Sequence, residues 1–193
     1  MKLWVISDLH CERRSDFDPP RPDFDVLVCA GDVHDDILAS LGIVRALAGD
    51  KPAIFVAGNH EFFGDIGVYD TIHRGRGYAQ QCHVHFLECA DVDIGGVRFA
   101  GATLWDLHTW QHSEAVRYLR SARVDVVVTH FPPSRGDVDQ VGAALWIYGH
   151  HHGASDNRHG RTRLIRNAIG YPNSEDELDK SARPAQSDFV VEI

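Results

Sequence analysis

An α/β layered sandwich with a mixed sheet is the fold class that this 193-residue sequence predicts. Three observations carry it. Short continuous apolar runs at 3–6, 26–30 and 53–57 have the pattern of strands buried on both faces. A run with helical apolar spacing separates the second from the third. The chain then closes on consecutive strand patterns, so the order is not a strict alternation of strand and helix.

Each element has its own signal. The run at 3–6 precedes a polar stretch, 8–24, that carries Pro19, Pro20 and Pro22 and reads as a long loop. Strand 26–30 is stopped by Gly31. Over 36–48 the apolar residues Ile37, Leu41, Val44, Leu47 and Ala48 recur at helical period, and Gly49 closes the helix. Strand 53–57 stops at Gly58. A helix covers about 66–80, against the weakening effect of Gly75 and Gly77. Residues 83–87 and 92–100 read as strands, the second folded into a hairpin at Gly95-Gly96. A short strand at 102–105, a helix at 114–122 and a β-branched strand at 124–129 follow. Residues 144–148, 162–166 and 189–193 are the last strands, and polar residues 172–188 form a surface excursion. There is neither an internal repeat nor a linker, so one domain over 1–193 is expected.

Composition removes several classes of function. Hydrophobic residues at 44% and charged residues at 24% exclude a disordered or collagen-like chain. Nineteen basic against 28 acidic residues give a net charge of −9, a poor match for non-specific binding to nucleic acid or a membrane surface. Bound divalent cations would offset part of that charge, so an anionic substrate stays compatible. No segment approaches the roughly 20 apolar residues of a membrane span. The N-terminal run reaches Asp8 before the apolar region of a signal peptide can form, so a cytoplasmic protein is expected. Cys11, Cys29, Cys82 and Cys89 form no C-x-x-C pair and read as reduced thiols.

The chemistry lies where strands end. Five strand candidates run into polar blocks: Asp8-Leu9-His10, Gly31-Asp32, Gly58-Asn59-His60-Glu61, Thr129-His130 and Gly149-His150-His151-His152. Ligand sites of α/β sheets form at the carboxyl ends of strands. Brought side by side, these ends gather two Asp, one Asn and up to six His. Such donors suit Zn, Mn, Fe or Ni and exclude an all-thiolate site. They exceed what one tetrahedral ion takes and suit two ions sharing a carboxylate. In an extended segment, Asp-x-His and His-x-His place both side chains on one side, which also turns His151 away.

These blocks resemble the calcineurin-like metallophosphoesterase superfamily, whose pattern is D-x-H, G-D, G-N-H-[DE], H and G-H-x-H in that order. All five are present between residues 8 and 152. Stretches at 58–64, 102–105 and 166–171 also resemble small bacterial members. The resemblance implies a four-layer αββα sandwich with mixed β-sheets. It implies two divalent ions (Mn, Fe, Ni or Zn, with Mg possible), one held by Asp8, His10, Asp32 and His152. Asp32, Asn59, His130 and His150 would hold the other, with Asp32 as the bridge. His60 would not be a ligand but the residue facing the scissile phosphate.

The function that follows is hydrolysis of a small phosphorylated substrate by a dinuclear metal site. A diester is favoured over a monoester dianion. Phosphoprotein phosphatases of the superfamily carry an arginine shortly after Gly-Asp; here Val33-His34-Asp35-Asp36 supplies two acids instead. Nucleotide pyrophosphatase or phosphomonoesterase activity would use the same site. A non-catalytic scaffold would have lost ligands, and here none is lost. His34, Arg163 and Arg166 are candidate substrate contacts. Arg13 and Arg14 read as solvated loop charges, His83 and His85 as strand residues, and His73, His108, His112 and His159 as surface. Trp105 and Trp110 read as packing residues.

Overall fold

The computed structural model describes residues 1–14, 17–107, 109–172 and 183–193. His108 and most of the expected excursion at 172–188 lie outside the described residues. Among the described residues, eleven strands and four α-helices follow the order β1 (Lys2–Ile6), β2 (Val26–Cys29), α1 (Ile37–Ala48), β3 (Ala53–Phe55), α2 (Val68–Gln81) and β4 (His85–Phe86). Then come β5 (Ala90–Ile94), β6 (Val97–Ala102), α3 (Trp110–Ala122), β7 (Val126–Thr129), α4 (Arg135–Val141) and β8 (Leu145–Tyr148). The last are β9 (Gly153–His159), β10 (Thr162–Ala168) and β11 (Val190–Glu192).

The strands form two mixed sheets, ordered β11-β1-β2-β3-β4 and β5-β6-β7-β8-β10-β9. β1 to β4 run parallel and β11 antiparallel; β6, β7, β8 and β10 run parallel, with antiparallel β5 and β9 at the edges. Alternation along each strand decides the layers. Leu3, Val5, Val26 and Val28 pack between the sheets with Phe99, Val126, Val128 and Ile147. Trp4, Ile6, Leu27 and Cys29 face α1 through Ile37, Leu41 and Val44. Ala100, Val127 and Trp146 face α3 and α4 through Val116, Leu119 and Val138. The result is a four-layer αββα sandwich. No helix among the described residues is long and apolar enough to cross a membrane.

Four local expectations are corrected. Residues 103–105 are not a strand, because the backbone N–H and hydroxyl of Thr103 bind the buried Glu88 carboxylate at 2.8 and 2.6 Å. β9 and α4 are additional elements. His112 is buried: its Nδ1 donates to the Trp105 carbonyl at 2.8 Å and its Nε2 stands 3.3 Å from Asp137 on α4. Trp110 does not pack inward; it is 62% exposed at the start of α3, while Trp105 stacks near Phe62 and Phe131.

Candidate metal centre

β1, β2 and β3 of one sheet and β7 and β8 of the other end at the same edge of the sandwich. The loops that leave them carry Asp8, Asp32, Asn59-His60, His130 and His150 to His152. The chain is not extended at these blocks, contrary to the period-two expectation. Asp8, His10, Asp32 and His150 hold φ of 56°, 46°, 54° and 66°, in the left-handed region that non-glycine residues rarely occupy. Sharp left-handed turns, rather than strand alternation, aim these side chains. Neighbouring glycines leave room for them. A Cβ at Gly149 would stand 2.6 Å from Asp8 Oδ2, and one at Gly58 would overlap Asp32 Oδ1.

Asp8, His10 and His152 form a first buried triad. The Nε2 atoms of His10 and His152 lie 3.3 Å apart, and Asp8 Oδ1 stands 3.8 Å from His152 Nε2. The His150 backbone N–H donates to both Asp8 oxygens, at 3.0 and 3.2 Å, and so ties the first block to the last. Asp32, His130 and His150 form the second triad. His130 Nδ1 donates to the Ala30 carbonyl at 2.9 Å, which leaves Nε2 facing the site. Around that nitrogen stand Asn59 Oδ1 at 3.1 Å, His150 Nδ1 at 3.2 Å and Asp32 Oδ2 at 3.4 Å.

Burial and mutual charge set the protonation of the metal-free site. Burial pushes the Asp8 carboxyl up to about 7, with the Asp32 charge adding to the rise. Burial lowers the His10 imidazole to about 3 and His150 to about 4. For His130 burial acts downward, but the Asp32 carboxylate and its contact with the ring raise it to about 9. Asp32 is the converse: burial acts upward, and His130 holds it below the usual carboxylate range.

This donor set fits divalent transition ions. Ligand atoms about 2.1 Å from an ion stand roughly 3.0–3.4 Å apart at tetrahedral to octahedral angles. The spacings of 3.3, 3.1, 3.2 and 3.4 Å above fall in that range. Two oxygens, Asn59 Oδ1 and Asp32 Oδ2, converge on one imidazole nitrogen and suit a cation there, either a proton on His130 or a metal in its place. Neutral His10 and His150 with ionised Asp32 are the forms that ligate.

His60 sits between the triads. Its Nδ1 donates to Asp35 Oδ1 at 2.8 Å, and its Nε2 lies 4.0 Å from Asp32 Oδ2 and 3.0 Å from the Tyr171 hydroxyl. Its backbone N–H donates to Asp32 Oδ1 at 2.9 Å. The next residue, Glu61, is buried and accepts from the backbone N–H groups of Asp32, Val33 and Gly58 at 3.0, 2.8 and 2.6 Å and from Ser40 Oγ at 2.8 Å. One carboxylate thus pins the Gly31-Asp32 turn to the Gly58-Asn59 turn.

Several expected contacts fall elsewhere. His34 Nδ1 accepts from the Asp36 backbone N–H at 3.0 Å in the turn that starts α1. Arg163 is held by Asp156 of β9 through two bonds, at 3.0 and 2.7 Å. Arg166 is buried and lines a different cavity with Ser155, Asn167 and Gln186. Arg13 and Arg14 are not simple loop charges: Arg13 lies 4.2 Å over the Tyr171 ring, and Arg14 donates to the Gly170 carbonyl. His151 is exposed.

Glu12, Glu61 and Tyr171 stand at the site with no role expected from the sequence, and Asp35, expected only to repel a dianion, also holds the His60 ring. Glu12 had a readable signal, since Asp8-x-His10-x-Glu12 repeats at two. Its Oε1 lies 3.3 Å from His10 Nδ1 and 3.8 Å from His60 Nδ1. Tyr171 arrives from far along the chain, and no spacing announces it.

The family model for calcineurin-like phosphoesterases matches residues 1–154. Comparison with curated protein sequences gives no match. Among solved structures, phosphopantetheinyl hydrolase from Mycobacterium tuberculosis is similar at 18% identity and a TM-score of 0.63, over 89% of this chain and 90% of that one. GAP50, described as the anchor in the inner membrane complex of Plasmodium, is similar at 11% identity and a TM-score of 0.53, over 92% and 76%. At these identities the likeness is one of fold. The match to the family model covers the whole stretch in which the five metal-site blocks occur, and the chain belongs to the calcineurin-like phosphoesterase family.

Proposed function

We propose that the protein hydrolyses phosphate esters with a dinuclear metal site and prefers small phosphodiesters. One observation supports this above the rest: two triads, Asp8-His10-His152 and Asp32-His130-His150, stand in one site, and His60, which is grouped only with His10 and Glu12, has its Nε2 4.0 Å from Asp32 Oδ2. Two divalent ions from the series Mn, Fe, Ni and Zn, with Mg as a harder alternative, supply the nucleophile and offset phosphoryl charge when bound by Asp8, His10, Asp32 and His152 and by Asp32, Asn59, His130 and His150.

The chain's own residues do the rest. Asp35 holds the His60 ring by Nδ1, so Nε2 is the nitrogen presented to the reacting ester. His60 supplies the proton that the leaving oxygen needs, a contribution of about 10²–10⁴-fold in general acid catalysis. Glu61 keeps the Asp32 and Asn59 turns in register.

The diester preference rests on charge. Glu12 and Asp35 stand beside His60. Arg163 is engaged with Asp156, and Arg166 lines another cavity. Arg13 is at the cleft, but its Nε lies 3.8 Å from Glu12. A dianionic monoester meets more repulsion here than a monoanionic diester. The test is kcat/KM for bis(p-nitrophenyl) phosphate against p-nitrophenyl phosphate with Mn at fixed pH. The diester should be the better substrate; a clear monoester preference contradicts the reading.

A further inference from the structure

We propose that Phe63 determines specificity: its ring takes the organic group of the leaving alcohol, so the preferred diesters are those whose leaving group carries a flat, uncharged ring. This inference deepens the phosphoesterase reading above and rests on it.

Exposed apolar surface is gathered at one place. Six large apolar side chains are exposed among the described residues, and five of them, Phe63, Val68, Tyr69, Leu107 and Trp110, fall in two short stretches. The first stretch leaves the His60 turn and enters α2, and the second enters α3. They adjoin where Phe62 packs on Trp105, with ring centroids 5.0 Å apart. From there the stack runs through Phe131 to His150 of the second triad, at 6.1 and 4.3 Å. Exposed apolar residues scattered singly need no explanation, but a cluster at the edge of a site does.

Phe63 is the member that touches the site. Its N–H donates to the His60 carbonyl at 2.9 Å, which closes the turn and fixes the backbone. Its ring lies 4.4 Å from the His60 ring with planes at 40°, yet the residue is 60% exposed. A Cβ at the next residue, Gly64, would meet nothing within 4 Å. The Phe63 ring therefore stands between the buried His60 and open space. When a phosphoryl group lies beside Asp32 with its leaving oxygen toward His60, the carbon atoms on that oxygen leave the site past Phe63.

Charge and ring content narrow the occupant. Residues 61–70 and 105–110 carry Glu61, Asp65, Asp70 and Asp106 and neither lysine nor arginine. A nucleic-acid strand or an anionic membrane needs basic residues there; a small uncharged group does not. Three of the five exposed side chains, Phe63, Tyr69 and Trp110, are aromatic, and aromatic faces pair with another ring in offset or tilted geometry.

Diphenyl phosphate and dimethyl phosphate carry the same charge and differ only in their ester groups. Each is titrated calorimetrically into Mn-loaded protein and used as a competitor in the cleavage of bis(p-nitrophenyl) phosphate. The wild type should bind diphenyl phosphate on the order of tenfold more tightly than dimethyl phosphate. Phe63→Ala should lose most of that preference while keeping its metal content and Tm, and Phe63→Trp should retain it. Equal affinity for the two phosphates in the wild type, an unchanged preference in Phe63→Ala or a lost one in Phe63→Trp overturns the inference. Cleavage of bis(p-nitrophenyl) phosphate by the wild type then leaves the phosphoesterase reading standing. A dimer, or binding to neutral lipid vesicles, that Phe63→Ala abolishes shows a different occupant of this face and also overturns the inference. Absence of cleavage by the Mn-loaded wild type overturns both.

Discussion

Asp8, His10, Asp32 and His150 each hold a left-handed backbone that costs of the order of 1–3 kcal/mol when the residue is not glycine. The surrounding contacts keep them there: Glu61 binds the Asp32 turn, and the His150 N–H binds Asp8. Space at Gly149 is part of the same arrangement, since an added Cβ would meet Asp8 Oδ2 at 2.6 Å and the Ala30 carbonyl at 2.8 Å. Gly149→Ala should destabilise the fold by about 1–3 kcal/mol, as overpacking does, and lower metal occupancy. Denaturant unfolding and elemental analysis check this, and wild-type values in both would refute the close packing.

Protonation gives a second prediction for single residues. In the metal-free protein, Asp8 is raised to about 7, so its contribution to stability is present below pH 4 and lost as pH rises through 7. His130, raised to about 9, contributes below pH 6.5 and loses that contribution as pH rises through 9. His10 and His150 are lowered, and their contribution is complete above pH 6.5. Asp32 loses its contribution only as pH falls below the ordinary carboxylate range. Between pH 6.5 and 9 the shifted groups therefore act in one direction, and Tm of the metal-free protein should fall. Metal binding displaces these protons and tightens as pH rises, so the loaded protein should show less of this fall. A metal-free Tm that stays level or climbs over this window contradicts the assignment.

At the scale of elements, α4 shows what a short helix needs. Seven residues with only Val138 and Val141 as apolar contacts cannot stand on propensity. A reciprocal capping box does much of the work: Asp137 N–H donates to Ser134 Oγ at 3.1 Å, and Ser134 N–H donates to Asp137 Oδ2 at 2.8 Å. Ser134→Ala should cost about 1 kcal/mol in unfolding free energy and leave kcat/KM unchanged. A loss of turnover without a loss of stability would place α4 in the site. The element also shows where sequence reading stops. The Ser134-x-x-Asp137 signature was on view, but an apolar period cannot register in seven residues. β9, with the sequence Gly-Ala-Ser-Asp-Asn-Arg-His, has no apolar alternation because it is an edge strand with one buried residue. Strands with both faces covered, such as β2 and β7, were legible as unbroken apolar runs.

For the whole molecule, the division of strands between two sheets was not readable from the residues themselves. Apolar runs say that a strand is buried, not which neighbour it has. The αββα arrangement came only from resemblance, and alternation within β1, β2 and β3 then made physical sense of it. The candidate ligands were legible because five blocks of one chemical type stood at strand ends. Glu12 was legible only as the next step of the Asp8-x-His10-x-Glu12 repeat, Asp35 only as one of two repelling acids and Tyr171 only as part of a stretch that resembles the family; their contacts with His60 and His10 form when the chain folds. The architecture explains why the site forms at all. One sheet delivers Asp8, His10, Asp32 and Asn59, the other delivers His130, His150 and His152, and packing between the sheets brings the two sets together.

Asp32 lies where those two sets meet, and a carboxylate shared by two ions serves both. Elemental analysis of purified wild type and Asp32→Ala therefore tests the central claim most directly. The wild type should carry about two transition ions per chain, as two-metal sites do, and the variant should lose both while remaining folded. A folded Asp32→Ala protein with its metal content unchanged would contradict the dinuclear centre.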